Sequence, residues 1–394
     1  MMKKSLFLFL ALVAPLLAQT EIGKIVVEAD NRTLPVRVSA NTPELNTLAL
    51  QAFGVHGRYR VVANGYAYDI RFSEVAPTQV RVDIARGLGQ PVASETVTGT
   101  SARNALLRAA DVAVEKTNGL GLRGFFASSL AWVGKLTGHD EIYLGDLFCG
   151  NVKQITHDRS ITFTPRWSPD GSKILYTGYY HSGSPDIFEI DLANAYTRTT
   201  FVSFRGSNSG ARFSPDGRQV AMVLSGEGNP EIYVSNAQGH EVSRRTRFDS
   251  TKSSPCWSPD GSRLVLTSGN PSPQLYVMSA GGGPMQRLTY NFSSECSEPD
   301  WSRARPNLIA FSAKMGGNYQ IAVYDFSTHE SHVVSRASFD AMGASWLPDG
   351  RHLVFTASSA STSRLCILDT ETGKSTPISP ASLGQAERGS VWSR

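Results

Sequence analysis

The sequence predicts a mostly β protein, a six-bladed β-propeller preceded by a small α/β domain. Three observations predict it. First, Thr164-Pro165-Arg166-Trp167-Ser168-Pro169-Asp170-Gly171 is written again as Phe213-Ser214-Pro215-Asp216-Gly217, Trp257-Ser258-Pro259-Asp260-Gly261, Trp301-Ser302, Trp346-Leu347-Pro348-Asp349-Gly350 and Trp392-Ser393. The steps between the aromatic residues are 46, 44, 44, 45 and 46, a period that marks a repeat architecture. Second, each unit has the grammar of four strands. The aromatic closes the first strand, and Ser-Pro-Asp-Gly makes a type I turn with a bulge, Pro pre-setting one position and Gly taking the left-handed one. Two more apolar segments and a fourth strand follow, the content of a propeller blade. Third, Ser129-Leu130-Ala131-Trp132-Val133 reads as a second strand with no first strand before it, whereas Val391-Trp392-Ser393-Arg394 is a first strand with nothing after it. Together they complete one blade and close a ring, which removes long unpaired sheet edges.

In chain order, residues 1–18 read as a secretory signal, with Lys3 and Lys4 ahead of an apolar run from Leu6 to Leu17 and Ala18 before Gln19. That run is short for a membrane span. Residues 19–128 form the α/β domain. Strands are expected at 25–27, 36–38, 59–62, 68–75, 80–85 and 94–97. A first helix is capped by Thr42 with Pro43 behind it, placing Leu45, Leu48, Ala49, Ala52 and Phe53 on one face. A second runs from about Ala102 to Lys116, with Leu106, Ala109, Ala110 and Val114 inward. Gly119-Leu120-Gly121-Leu122-Arg123-Gly124 has a dinucleotide-loop spacing, but a helix precedes it and a strand follows, the reverse of what that fingerprint needs. It reads as a glycine-rich linker. Residues 129–394 are the propeller.

Composition excludes little chemistry but offers less. The chain has 394 residues, 41% hydrophobic and 18% charged, with a formal net charge of +4. No basic run argues for nucleic acid. There is no Gly-x-Ser-x-Gly elbow and no His-Glu-x-x-His, and His329-Glu330-Ser331-His332 has the wrong spacing for zinc. No catalytic residue, cofactor or metal is therefore expected. Cys149, Cys256, Cys296 and Cys366 allow three full pairings; Cys256 with Cys296 is conceivable, and buried free thiols are the other reading. The repeated Trp and Phe residues are expected to pack between blades.

Binding surfaces lie in loops. In a propeller the loops leading into each innermost strand share a face with those joining the second and third strands. Here the leading loops are 157–163, 204–210, 248–254, 291–298 and 338–343. Phe204, Phe248, Phe292 and Phe339 recur at one phase in four of them, either as anchors for a partner or as packing beneath the loop.

The stretch from Thr164 to Tyr176, the junction Glu115-Lys-Thr-Asn-Gly-Leu-Gly-Leu-Arg-Gly-Phe125 and the order of leader, α/β domain and repeats resemble the TolB family, the periplasmic component of the Tol–Pal system of Gram-negative envelopes. The resemblance implies a monomeric adaptor and not an enzyme. It implies a propeller mouth that receives a Pal-like outer-membrane lipoprotein, carried here by Ser207, Asn208, Gly210 and Ser253. It also implies an N-terminal tail, Thr20, Glu21, Ile22 and Gly23 onward, that engages a TolA-like inner-membrane protein by adding a strand. Where the family often has Arg-His-Asn-Gly-Ala-Pro, this chain has Arg205-Gly-Ser-Asn-Ser-Gly-Ala211. Two readings of another class stay open: a propeller binding a sugar or other small ligand in its channel, and a stand-alone relative of the prolyl-oligopeptidase propeller.

Overall fold

The structure is a computed structural model that describes residues 33–393 apart from 88, 181, 182 and 270. The expected leader, the strand at 25–27 and the tail at Thr20–Gly23 lie outside the described residues.

Five strands, β1 (Leu34–Ala40), β2 (Tyr59–Val61), β3 (Tyr68–Ala76), β4 (Gln79–Arg86) and β5 (Gln90–Thr98), form a sheet in the order β2-β1-β3-β4-β5. β1 runs parallel to β2 and β3, and the rest is antiparallel. The parallel step from β1 to β2 is made by helix α1 (Pro43–Val55), as such a connection requires. Thr42 caps it by accepting the Leu45 amide. Helix α2 (Ala102–Thr117), capped by Ser101 through the Asn104 amide, lies beside it. Their buried residues, Leu48, Ala52, Phe53, Leu106, Ala110 and Val114 among them, meet Ile70, Phe72, Val80 and Val82 of the sheet in one core.

The remaining strands make six four-stranded sheets arranged as a six-bladed propeller. The first blade is composite: Ala386–Trp392 pairs antiparallel with Ser129–Gly134, from Ala386 opposite Gly134 to Trp392 opposite Ser129. The innermost strands of the second to sixth blades are Thr162–Trp167, Asn208–Phe213, Lys252–Trp257, Cys296–Trp301 and Asp340–Trp346. Each of the six carries a bulge. It centres on a residue of positive φ: Thr164, Gly210, Ser254, Glu298, Gly343 and Arg388.

The Ser-Pro-Asp-Gly turns have the expected build. Gly171, Gly217 and Gly261 all take φ near +70° (+74, +72 and +72), which L side chains resist. Asp170 and Asp260 accept from the Ser hydroxyl before them at 2.5 Å and from a backbone amide after them. The aromatics join blade to blade. The indole N–H groups of Trp167, Trp257 and Trp346 donate to the carbonyls of Ser390, Arg212 and Asp300 on the preceding innermost strands, each at 3.0 Å. Trp301 donates instead to Pro306 in its own altered turn. The last aromatic is one residue out of phase. By register Val391 occupies the place of Trp167, and Trp392 reaches over to stack on Trp167 and donate to the Pro169 carbonyl.

The α/β domain docks on the face of the ring that carries the turns between first and second strands. Gly119 and Gly121 turn the linker at positive φ. Gly124 is forced by space, since a Cβ there would lie 2.2 Å from Asp111. Asp111 of α2 receives the amides of Phe126 and Ala127, at 2.6 and 3.0 Å. The sixth-blade turn, where Leu347 replaces the usual Ser, is buried under this contact. Asp349 accepts from His352 Nδ1–H at 2.5 Å, and His352 Nε2 accepts the Gly57 amide at 3.1 Å.

His56 is fully buried at this junction, stacked on Phe125 and edge-on to His352. Its Nδ1 accepts the Arg58 amide and its Nε2 has no partner. Burial, reinforced by the neighbouring His352, holds it well below the ordinary histidine range despite Asp349 and Asp369 nearby. The unfolded chain therefore takes up a proton below roughly pH 6.5 that the folded chain refuses, so stability falls as pH drops from there. Asp349 and Asp369, depressed in the folded state, lose their contribution in a separate window below roughly pH 4. Urea unfolding between pH 7 and 5 is expected to show a steeper loss in the wild type than in His56→Phe, by up to about 1.4 kcal/mol per pH unit for one proton. Equal slopes would contradict this reading of the junction.

Candidate protein-docking face

The face opposite the docked domain is built by the loops leading into each innermost strand, and a repeated buried device fixes them. At the start of the third strand stand Glu141, Glu231 and Gln274 in the first, third and fourth blades, and Gln320, two residues into the strand Asn318–Asp325, in the fifth. Each is buried and accepts the hydroxyl of a Thr or Ser fifteen positions on: Thr156, Thr246, Thr289 and Ser335. That hydroxyl in turn accepts the amide of the residue after the acid or amide: Ile142, Ile232, Leu275 and Ile321. The same carboxylates and amides then hold the loop backbone. Glu141 accepts the Asp158 and Arg159 amides, Glu231 that of Phe248, and Gln320 that of Ala337. Buried polar groups demand this degree of satisfaction. Burial works against the charge on Glu231, but the Thr246 hydroxyl, the Phe248 amide and Arg244 outweigh it and lower its pKa. No sequence expectation named these residues; the fifteen-residue spacing repeated with the blade period is the signal that reveals them.

The second and third blades use a variant. Asn208 has 0% exposure. Its amide nitrogen donates to the Phe204 and Gly206 carbonyls and to Asp186, while its oxygen accepts the Phe204 amide at 3.1 Å. Asn208 thus lies beneath the loop and presents Phe204. Ser207 is exposed above it, its amide bonded to Ser225 Oγ at 2.8 Å. Gly210 is the bulge residue, its N–H on Thr177 Oγ1, and Ser253 is half-buried opposite Thr267.

The four loop phenylalanines divide. Phe204 and Phe248 stand 48% and 44% exposed. Phe292 packs edge-on against Phe311 at 5.8 Å, and Phe339 packs into the sixth-blade core. Further exposed apolar residues on the same face are Ile161, Tyr180 and Tyr290. Arg159, Arg205, Arg247 and Arg336 are exposed on the same loops, with Asp249 among them and Glu227, paired with Arg244, on a neighbouring second-to-third-strand loop. The face therefore combines projecting apolar side chains with a positive rim, on rigid supports.

His56, Asp349 and His352 bring ligand atoms within 4.8 Å of one another. Yet both nitrogens of His352 are engaged, one with Asp349 at 2.5 Å, whereas two ligands each about 2.1 Å from a tetrahedral zinc stand more than roughly 3 Å apart. The junction is a hydrogen-bonded contact. The four cysteines are buried free thiols, so the conceivable Cys256–Cys296 pairing is absent. Burial pushes Cys149 up to about 12 and Cys296 and Cys366 to about 11, which leaves them as inert thiols at neutral pH. Among the described residues no helix is long and apolar enough to cross a membrane.

Fold and loops define a six-bladed β-propeller that carries a small α/β domain on one face and projecting side chains on the other. The family profile PD40, the TolB beta propeller domain, matches residues 117–394. The chain belongs to the TolB family. It is 32% identical over 164 residues to a protein TolB homolog of Chlorobium luteolum, covering 41% of this chain and 37% of that one. It is 35% identical over 127 residues to the Tol-Pal system protein TolB of Desulfosudis oleivorans, covering 32% and 28%. These matches span about a third of the relatives' length. The crystal structure of TolB from Acinetobacter baumannii is similar with a TM-score of 0.78 and 23% identity, covering 91% of this chain and 96% of that one; this likeness concerns the fold.

Asn208→Ala is expected to leave the Phe204 amide without its acceptor and to cost about 1–3 kcal/mol. Hydrogen exchange checks it: the Phe204 amide should lose protection while the strand Gln219–Leu224 keeps its own. Unchanged exchange at Phe204 would show that the loop does not depend on Asn208.

Proposed function

We propose that this chain is a periplasmic adaptor of the Tol–Pal envelope system, acting by binding proteins and not by catalysis, in support of outer-membrane integrity and cell division. The observation that carries the reading is the loop face, where Ile161, Tyr180, Phe204, Phe248 and Tyr290 project from buried supports amid exposed arginines. Apolar anchors inside a polar rim are the usual composition of an interface that draws its energy from a few residues. A Pal-like outer-membrane lipoprotein is the partner for this face, with acidic groups opposite Arg159, Arg205, Arg247 and Arg336. Ser207 and Ser253 belong to its polar part, and Asn208 and Gly210 shape the loop beneath it.

The second contact is assigned to the tail beginning Thr20, Glu21, Ile22 and Gly23, engaging a TolA-like inner-membrane protein after export and removal of residues 1–18. Family membership supports both assignments. Because the tail and the loop face belong to one folded chain, any difference in tail order between partner-bound and free states would couple the two sites reciprocally.

Two variants separate these contacts. Phe204→Ser with Phe248→Ser should weaken capture of the outer-membrane lipoprotein at least tenfold, since each anchor lost from a hot spot costs about 1–2 kcal/mol or more, with the thermal midpoint little changed. Deleting residues 19–28 of the exported protein should abolish capture of the inner-membrane partner and leave lipoprotein capture intact. Pull-downs in which either variant binds like the wild type would refute the corresponding assignment.

A further inference from the structure

The axial channel holds a cavity of about 650 Å³ that opens on the face carrying the α/β domain. Its outer wall is the ring of first-to-second-strand turns, and residues 120–123 of the linker border it. Deeper in, the wall is formed by the residues in register with Arg166 on the six innermost strands: Arg166, Arg212, Cys256, Asp300, Ser345 and Ser390. In this bore the carboxylates are already engaged. Asp300 binds Arg212 at 2.7 Å and also accepts the Trp346 amide. One layer further, Glu298 is paired across the sixth blade with Arg388, Gly343 of that blade presenting no side chain between them. At the outer end, Asp349 is committed to His352 and backbone amides.

Arg166 has no such partner. Its one hydrogen bond goes to the carbonyl of its own neighbour, Pro165, at 3.4 Å, and among the described residues no carboxylate forms an ion pair with it. A guanidinium has five N–H donors and keeps its charge under all ordinary conditions. Partial burial and the nearby Arg212 bring the pKa of Arg166 down to about 10 against the pull of Asp300 and Glu298, so it stays a cation, half-buried and without an ion pair of its own. Arg123 and Arg303 are exposed at the rim of the same cavity and add to the positive field. Asp300 and Glu298 act on it from nearby, but each is already paired, with Arg212 and with Arg388; drawing a charge part-way out of water without a direct partner is costly, and an anion would relieve it. The half-buried indoles of Trp167 and Trp392, stacked with centroids 5.9 Å apart, line the cavity too and give an organic body something to lie against.

We propose that the channel binds a small oxyanion, a phosphate or carboxylate, free or as the head group of a compact organic anion, with Arg166 as its principal ligand. The planar fork of a guanidinium matches two oxygens of such a group. This site is separate from the loop face, and its failure would leave the adaptor reading untouched.

The test uses the full exported chain at fixed ionic strength, titrated with sodium phosphate and, separately, with phenyl phosphate against sodium chloride, followed by calorimetry and by thermal midpoint. Phosphate should bind and raise the midpoint. Affinity should fall at least tenfold in Arg166→Gln and by an intermediate factor in Arg166→Lys, which keeps the charge and loses the fork. In chloride alone, Arg166→Gln should be at least as stable as the wild type, because a half-buried cation with no ion pair of its own has been removed. Tighter binding of phenyl phosphate than of phosphate would identify an organic anion as the occupant, and equal binding the free ion. No response to either probe in the wild type, or an equal response in Arg166→Gln and Arg166→Lys, would overturn the proposal.

Discussion

The antiparallel pairing of Ala386–Trp392 with Ser129–Gly134 makes a ring out of what would otherwise be an open fan of sheets. Without it the innermost position of the first blade is empty, and the strand Ser129–Gly134 is left with an unpaired edge facing the channel. An unpaired edge is a template for the wrong partner. Closure also completes the packing between blades: Trp167 of the second blade donates to Ser390 of the closing strand, and Trp392 returns the contact through Pro169. The channel depends on the same event, because Arg388, which neutralises Glu298, arrives on that strand.

A closed ring has two unlike faces, and the chain uses them differently. One carries the α/β domain, whose core is continuous with that of the first and sixth blades through Phe125, Phe126, Leu130, Leu347 and Val354. The other is kept open, its loops tied down from beneath by buried carboxylates and amides. That arrangement reconciles two opposing demands, since loops that bind must project, yet loops that wander lose affinity to ordering. Supporting the backbone from below leaves Phe204 and Phe248 free to face outward without leaving their carbonyls and amides unsatisfied.

Much of this was legible in the sequence because propeller blades repeat, and a repeat amplifies weak signals. Alternation alone would not separate the strands of one blade from those of many other β folds; six aromatics at a step of 44 to 46 residues, four of them followed by Pro-Asp-Gly, do. What stayed hidden did so for physical reasons. Trp392 keeps the sequence spacing within a residue but not the register, because it packs across the blade boundary while Val391 takes the strand position. Phe204, Phe248, Phe292 and Phe339 share a phase, yet exposure depends on how each loop folds over its neighbour, so two project and two pack inward. The Glu/Gln and Thr/Ser pairs are ordinary residues whose partnership appears only when strands three and four are brought side by side. Leu347 stands where three other turns have Ser, and it is the residue that the docked domain covers.

The central claim is that the closing strand is an integral part of the propeller and not an appendage laid against it. Native-state hydrogen exchange in low denaturant measures this directly. The account predicts that amides of Ala386–Trp392 and Ser129–Gly134 open only with the rest of the ring, at the same free energy as the inner strands of the third and fourth blades. Exchange of the closing strand at a distinctly lower free energy, with those blades still protected, would contradict it.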